Sequence, residues 1–205
     1  MVAKQDFDVQ GLVSLTVKVL PWTFFVSSIR FSVQSLVGNS ALVTKIYFPR
    51  AILVLASVLA CLFDFAVAMG VLVVILTIFK VGVSVYLLWV PFFILLLFLY
   101  TFGLGLILSS ANLFFRDVKY IVEIILMFGI FFTPVFYEAS AFGRWAPIML
   151  INPLGSLLEE LNRVVILHQT PNVFWTGYAV ISCLTVFILG MMVFHKAEPT
   201  FAENI

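Results

Sequence analysis

Long apolar stretches constrain the fold of this chain more than any other feature of its sequence. A helix needs roughly 20 residues to cross about 30 Å of hydrocarbon, and it satisfies its own backbone hydrogen bonds in doing so. Five stretches approach or exceed that length, at about residues 12–37, 51–79, 81–109, 121–137 and 173–194. The sequence therefore predicts an all-α, polytopic helical membrane protein with about five spanning helices, in a single transmembrane domain over residues 1–205.

Composition agrees with a membrane location and excludes other classes. Of the 205 residues, 63% are hydrophobic and only 10% are charged, whereas soluble domains carry about 25% charged residues. The net charge is +1, and no basic block could neutralise a run of phosphates, so nucleic-acid binding is excluded. Cys61 and Cys183 lie inside apolar runs and are predicted to be small, buried hydrophobic residues.

Residues 138–172 are too apolar for a free loop and too interrupted for a full crossing. They predict two short helices, the second beginning near Asn152 and Pro153, because proline suits the first helical turn. One face of the second helix is apolar and consists of Leu154, Leu157, Leu158, Leu161 and Val165. Two interpretations fit: an amphipathic helix at the membrane interface, or a re-entrant element that shapes the exit of a pathway.

The sequence lacks the common catalytic motifs. It contains no G-x-x-x-x-G-K-[ST] phosphate loop, no H-E-x-x-H metal motif and no G-x-S-x-G nucleophile motif. Its carboxylates are scattered, and no two of them are spaced for acid–base work. We therefore predict no catalytic residue, no cofactor-binding residue and no metal site in this chain.

Charged residues occur deep inside two of the apolar stretches, and Glu123 opens the fourth. Lys18 and Arg30 lie in the first, and Asp64 lies in the middle of the second. An ionised side chain at that depth is costly unless it faces a bundle interior, a wet cavity or a partner. Lys18 is predicted to extend toward the headgroup region, and Arg30 with Asp64 is a candidate ion pair. Both a structural hydrogen-bonding role and a transport role fit Asp64.

Three further patterns indicate contact surfaces. Segment 39–50, NSALVTKIYFPR, fits either docking into a partner's groove or anchoring at the membrane interface. A stripe of rings that could stack on sugars, or pack against lipid and neighbouring helices, consists of Phe128, Phe131, Phe132 and Phe136. Thr101, Gly105 and Ser109 repeat every four residues, a spacing that allows two helices to approach closely.

Several short motifs run through the chain in a fixed order. They are Pro21-Trp22-Thr23-Phe24-Phe25, Ser35-Leu36-Val37, Asn39, Leu42-Val43-Thr44-Lys45, Tyr47-Phe48-Pro49-Arg50, Asn112-Leu113-Phe114-Phe115-Arg116-Asp117-Val118, Phe132-Thr133-Pro134-Val135, Asn152-Pro153-Leu154, Glu198-Pro199 and Phe201-Ala202. Together they resemble the motifs of the type-2 ABC exporter permeases that move O-antigen, capsular polysaccharide and teichoic acid. The resemblance covers nearly the whole chain.

The resemblance implies a multi-pass permease of the bacterial cytoplasmic (inner) membrane, with six spans per subunit. Two copies are expected to form a homodimer in the membrane lipids and to enclose the path of a lipid-linked polysaccharide. A separate ABC ATPase subunit is expected to bind ATP and Mg on the cytoplasmic side. The residues expected to couple to that ATPase are Thr44, Lys45, Tyr47, Phe48, Pro49, Arg50, Arg116 and Asp117. The phenylalanine stripe is then expected to face the polymer, and residues 138–172 to form outward-facing re-entrant helices.

The chain departs from the family pattern at its N-terminus. Members usually begin with an amphipathic segment and a first spanning helix before the Pro-Trp-Thr-Phe-Phe region, and neither is found here, so the chain is expected to be shortened. The alternative functions are a permease for a drug or small lipid, or an inactive truncated remnant. A membrane enzyme acting on lipid-linked sugars would need clustered carboxylates, which the sequence lacks.

Overall fold

Helices form the described part of the protein. The computed structural model describes residues 9–45, 48–78, 85–137, 143–144 and 146–203. Within these ranges the α-helices are α1 (Val9–Gly38), α2 (Ser40–Lys45), α3 (Ala51–Ile78), α4 (Val90–Phe114), α5 (Val118–Phe132), α6 (Ala146–Ile151), α7 (Pro153–Val165) and α8 (Val173–Ala197), with 3₁₀ helices at Val85–Trp89 and Glu198–Glu203. No strand occurs in these ranges, which confirms the prediction of an all-α protein.

Three segments of the described chain are long and apolar enough to cross a membrane: Ala51–Ile75, Val85–Phe114 and Val173–Phe201. α1 has 30 residues, about 45 Å of helix, but it contains Lys18, Arg30 and several hydroxyl side chains. α5 has only 15 residues, about 22 Å of helix, which is shorter than the hydrocarbon layer. Length and composition therefore support three of the five predicted crossings. The link between the second and third apolar stretches, residues 79–84, lies outside the described residues.

α1 is the central helix, since it packs against α3, α4, α5 and α7. Its contact with α4 is close, because a Cβ added to Gly105 would lie 2.9 Å from Ser32 Oγ. Thr101 and Ser109, on the same side of α4, are fully buried. Small residues at a helix contact let the two backbones approach. The close approach predicted along this stripe is therefore confirmed.

A second close contact joins α4 to α8. A Cβ added to Gly190 would lie 2.8 Å from the carbonyl carbon of Gly103, and one added to Gly103 would lie 2.6 Å from the Cα of Phe187. Cβ atoms in proteins essentially never come within 3.0 Å of another atom in this way. Only glycine fits at either position without moving the helices apart, so α4 and α8 pack as one unit.

α7 begins where the sequence predicts. The side-chain oxygen of Asn152 accepts a hydrogen bond from the Leu154 N–H at 3.1 Å, and Pro153 occupies the first turn. The five predicted apolar residues are buried, and so are the polar residues Glu160 and Asn162. A helix at the membrane interface would expose its polar side. α7 is instead enclosed by α1, α4 and α8, which favours the re-entrant interpretation.

α5 ends at Phe132, two residues before Pro134. Thr133 is extended, with φ −117° and ψ 133°, because a proline disfavours the helical conformation of the residue before it. The predicted stripe therefore has three phenylalanines on the helix, and Phe136 follows the helix end. Only Val122 and Leu126 of α5 are buried, so the rest of this apolar helix presents an exposed face.

Candidate functional site

The two ends of the bundle gather different parts of the chain. One, the Arg50 end, collects the C-terminal ends of α1, α4 and α8 and the N-terminal ends of α3 and α5. The other, the Lys18 end, collects the first half of α1, α7 and the start of α8. Both segments predicted to couple to a partner protein lie at the Arg50 end. That end is therefore the candidate functional site.

Arg50 connects three parts of the chain at this end. Its backbone N–H donates a hydrogen bond to Glu198 Oε1 at 3.0 Å. Its guanidinium donates to the backbone carbonyl of Glu198 and, at 3.4 Å, to that of Val43. The first bond places a carboxylate at the N-terminus of α3, where unpaired N–H groups and the helix dipole favour negative charge. Arg50 thus holds the end of α2, the start of α3 and the end of α8 together.

Phe201 anchors the C-terminal turn beneath Arg50. The Phe201 side chain is fully buried, with ring centroids 6.0 Å from Phe114 of α4 and 5.2 Å from Phe194 of α8. The Arg50 guanidinium carbon lies 6.0 Å from the centre of the Phe201 ring, at the limit of a cation–π contact. The turn is consequently attached to α4, α8 and Arg50 at once.

The other residues of the first predicted coupling segment are less fully defined. Thr44 and Lys45 form the last turn of α2, but their side chains, like the whole of Tyr47, lie outside the described residues. Phe48 is half-buried, and Pro49 is exposed immediately before α3. Arg50 is the residue of this set whose side chain the structure places in a defined network.

Arg116 and Asp117 form the exposed turn between α4 and α5. A neighbouring residue fixes this turn: buried Asn112 donates from Nδ2 to the Val33 carbonyl at 2.9 Å and accepts from the Lys119 N–H at 3.2 Å. Asn112 therefore ties the turn to α1. Asn112 belongs to one of the sequence motifs but was assigned no role there. An amide at the end of an apolar stretch nevertheless indicates a buried residue that needs hydrogen-bond partners.

The phenylalanine stripe lies apart from this network. Phe128, Phe131 and Phe132 are exposed on α5, and Phe136 is exposed beyond its end. A cavity of about 290 Å³ lies between α5 and the helices α1 and α4, and its lining includes Trp22, Tyr100 and, from the stripe itself, Phe132. Much of the surface of the four stripe rings is therefore not covered by other side chains of the described residues.

Arg30 and Asp64 are both exposed, on α1 and α3 respectively. Asp64 lies halfway along α3 and lines a groove of about 250 Å³ between the two helices, with Thr23, Ser27 and Phe31. No ion pair joins Asp64 to Arg30 in the described structure. The candidate ion pair is therefore not formed within one chain.

At the Lys18 end, the structure corrects the predicted position of Lys18. Its side chain is only 2% exposed, and Nζ donates to Glu159 Oε2 at 2.7 Å and to the Tyr137 carbonyl at 3.1 Å. Two acceptors inside the protein replace the headgroup contact that the sequence suggested. Nearby, burial raises the pKa of Glu160, which accepts a hydrogen bond from the Asn172 N–H at 2.8 Å.

Comparison with known proteins identifies the family. The family model described as ABC-2 type transporter matches residues 3–166. The chain is similar to two Klebsiella pneumoniae proteins named O-antigen export system permease protein RfbA. One is 28% identical over 193 residues, covering 93% of this chain and 74% of the relative; the other is 28% identical, covering 90% and 72%. A Myxococcus xanthus protein of the same name is 25% identical, covering 92% of this chain and 74% of the relative. Because the family model matches most of its length, the chain belongs to the ABC-2 type transporter family.

Proposed function

We propose that this chain is the membrane-spanning permease subunit of an ATP-driven exporter that moves a lipid-linked polysaccharide across the bacterial cytoplasmic membrane. The observation that carries the proposal is the similarity to O-antigen export permeases over nine-tenths of the chain. The absence of a phosphate-loop motif from the sequence agrees with a separate ABC ATPase subunit that binds ATP and Mg.

In this proposal α1 and α5 cross the membrane with α3, α4 and α8, and two copies enclose the polymer path. The exposed rings of Phe128, Phe131 and Phe132 support a role for α5 in lining that path, because aromatic rings offer flat apolar faces to sugars. The placement of α7 inside the protein supports an outward-facing re-entrant element at the Lys18 end.

The Arg50 end is where the ATPase subunit docks in this proposal. Closure of the ATPase on ATP would push on α2 and the segment before α3, and would tilt α1 and α3 to open the path. Exposed Pro49 and the exposed Arg116–Asp117 turn supply a contact surface of mixed charge. The chain itself carries no catalytic residue in this mechanism.

Purification with an ABC ATPase subunit tests the proposal. We expect the chain and the ATPase to copurify as a complex of two copies each, with ATP hydrolysis stimulated by lipid-linked polysaccharide. Replacing Tyr47, Phe48 and Pro49 together with alanine should weaken ATPase binding by about tenfold or more, since the few residues that dominate an interface, often aromatic, each cost more than about 1 kcal/mol when truncated.

The matched control is Gln169→Ala with Thr170→Ala, two exposed residues at the Lys18 end. This control should bind the ATPase like the unaltered chain. Equal ATPase binding by the unaltered chain, the triple variant and the control would rule out the Arg50 end as the docking site. Stimulation of hydrolysis by a small lipid and not by the polysaccharide would favour the alternative of a drug or small-lipid exporter.

The homodimer gives a second prediction, based on Arg30 and Asp64. By helical rise, these residues lie about 12 and 20 Å from the same end of the bundle, and the long arginine side chain spans most of that difference. We propose that two copies related by a two-fold axis place Arg30 of each beside Asp64 of the partner subunit, which gives two symmetry-related ion pairs. We therefore expect Arg30→Asp alone, or Asp64→Arg alone, to weaken the homodimer.

A mixture of the two variants distinguishes pairing between copies from pairing within one. A dimer of one Arg30→Asp copy and one Asp64→Arg copy has opposite charges at both contacts, whereas each variant with itself has like charges. When two differently tagged copies of one variant are coexpressed, little copurification is expected. When one tag is on Arg30→Asp and the other on Asp64→Arg, the two copies should copurify. Copurification of each variant with itself at the level of the unaltered chain would contradict this interface.

A further inference from the structure

The C-terminal turn Glu198–Glu203 is held to the start of α3 although the two are 148 residues apart in sequence. Three residues form the contact, Arg50, Glu198 and Phe201, and are called the C-terminal clip below. The clip uses both the backbone and the side chain of Arg50, and both the carboxylate and the carbonyl of Glu198. Two backbone groups and two side chains thus fix the relative position of the two segments.

The clip also reaches two further helices through Phe201. The Phe201 ring is 0% exposed and lies between Phe114 of α4 and Phe194 of α8. α4 and α8 in turn meet at Gly103 and Gly190, where their backbones allow no side chain. A displacement of Phe201 would therefore act on α4 and α8 together, because packed elements of this kind move as rigid bodies.

We infer that Glu198 and Phe201 are positioning residues for coupling: they transmit movement of the segment around Arg50 to the α4–α8 unit. The inference rests on the proposed function, since the movement originates in the ATPase subunit. Without the clip, a push on the Arg50 end would act on α2, α3 and α1, and it would reach α8 only indirectly, through the packing of α1 against α4. With it, the same push displaces the start of α3 and the end of α8 in concert.

The test measures export per ATP hydrolysed, in the complex of the full chain with its ATPase subunit. Phe201→Ala truncates a fully buried ring and should lower the amount of folded complex, so ATPase binding, hydrolysis and export are each compared per folded complex. Export per ATP should fall by about tenfold, within the range that coupling residues show. Phe201→Leu, which keeps buried apolar volume, should restore most of the export. The control is Pro199→Ala, an exposed residue of the same turn.

A second measurement needs no partner. Spin labels at Ala41 in α2 and Thr200 in the turn, both exposed, should give one narrow distance distribution in the unaltered chain. Phe201→Ala should broaden it, and Phe201→Leu should narrow it again. An unchanged distribution in Phe201→Ala would show that the clip does not fix these segments.

The outcomes separate the inference from the proposed function. If the unaltered complex hydrolyses ATP and exports polymer, and Phe201→Ala exports as much per ATP, the inference alone is wrong. If binding, hydrolysis and export all fall in proportion to the amount of folded protein, Phe201 is structural and the inference is also wrong. If the unaltered chain neither binds an ATPase nor exports polymer, the proposed function fails and the inference fails with it.

Discussion

Replacing Gly190 with alanine should lower the free energy of unfolding by about 1–3 kcal/mol, the usual cost of adding a methyl group to a filled contact. The added Cβ would lie 2.8 Å from the carbonyl carbon of Gly103, and backbone atoms cannot rotate away as a side chain can. α4 and α8 would have to separate along their whole contact. Gly190→Leu should therefore prevent accumulation of folded protein in the membrane.

Gly177 provides the control within the same helix. It is the fifth residue of α8, and nothing is within 4 Å of a Cβ added there. Gly177→Ala should be neutral or stabilising by up to about 1 kcal/mol, because alanine has the higher helix propensity. Unfolding of both variants by SDS titration in mixed micelles checks the pair. Equal stability of Gly190→Ala and Gly177→Ala would mean that the α4–α8 contact is looser than the structure shows.

Features that depend on neighbouring residues could be predicted from the sequence. The apolar runs predict helices that cross a membrane, because in hydrocarbon a single segment can satisfy its backbone hydrogen bonds only as a helix. The start of α7 follows from Asn152 and Pro153, which act within one helical turn. The end of α5 follows from Pro134. Each of these signals involves residues only a few positions apart.

Features that depend on distant residues were missed. Lys18 was predicted to reach the headgroups. Its ion pair with Glu159 could not be recognised from the sequence, because the two residues are 141 positions apart. The glycines at positions 103 and 190 matter only because the two helices meet there. Arg50 was predicted as a coupling residue, and that role stays a prediction, but no sequence pattern indicated its bonds to Glu198. Sequence patterns indicate which residues are unusual, and the fold determines what those residues contact.

The Lys18–Glu159 ion pair leads to the second large effect, which is unequal for its two members. Lys18 is 2% exposed and Glu159 is 22% exposed. Removal of Glu159 leaves the ammonium group buried, with the Tyr137 carbonyl as its remaining acceptor among the described residues. Removal of Lys18 leaves a carboxylate that water can partly reach. Breaking a buried pair costs about 3–5 kcal/mol. Glu159→Leu should show that full cost, and Lys18→Met should cost less.

The double variant Lys18→Met with Glu159→Leu distinguishes charge burial from lost packing. It leaves no unpaired charge, and replacement of a buried ion pair by apolar residues of similar size is often nearly neutral. The double variant should therefore unfold at higher SDS fractions than Glu159→Leu alone, and the two single effects should not add. As a control, His195→Ala removes a 3.8 Å contact with Glu198 from a histidine that is 90% exposed and should change stability by less than about 1 kcal/mol. Additive losses in the double variant would show that α1 and α7 are held by packing at this point, with little contribution from the ion pair.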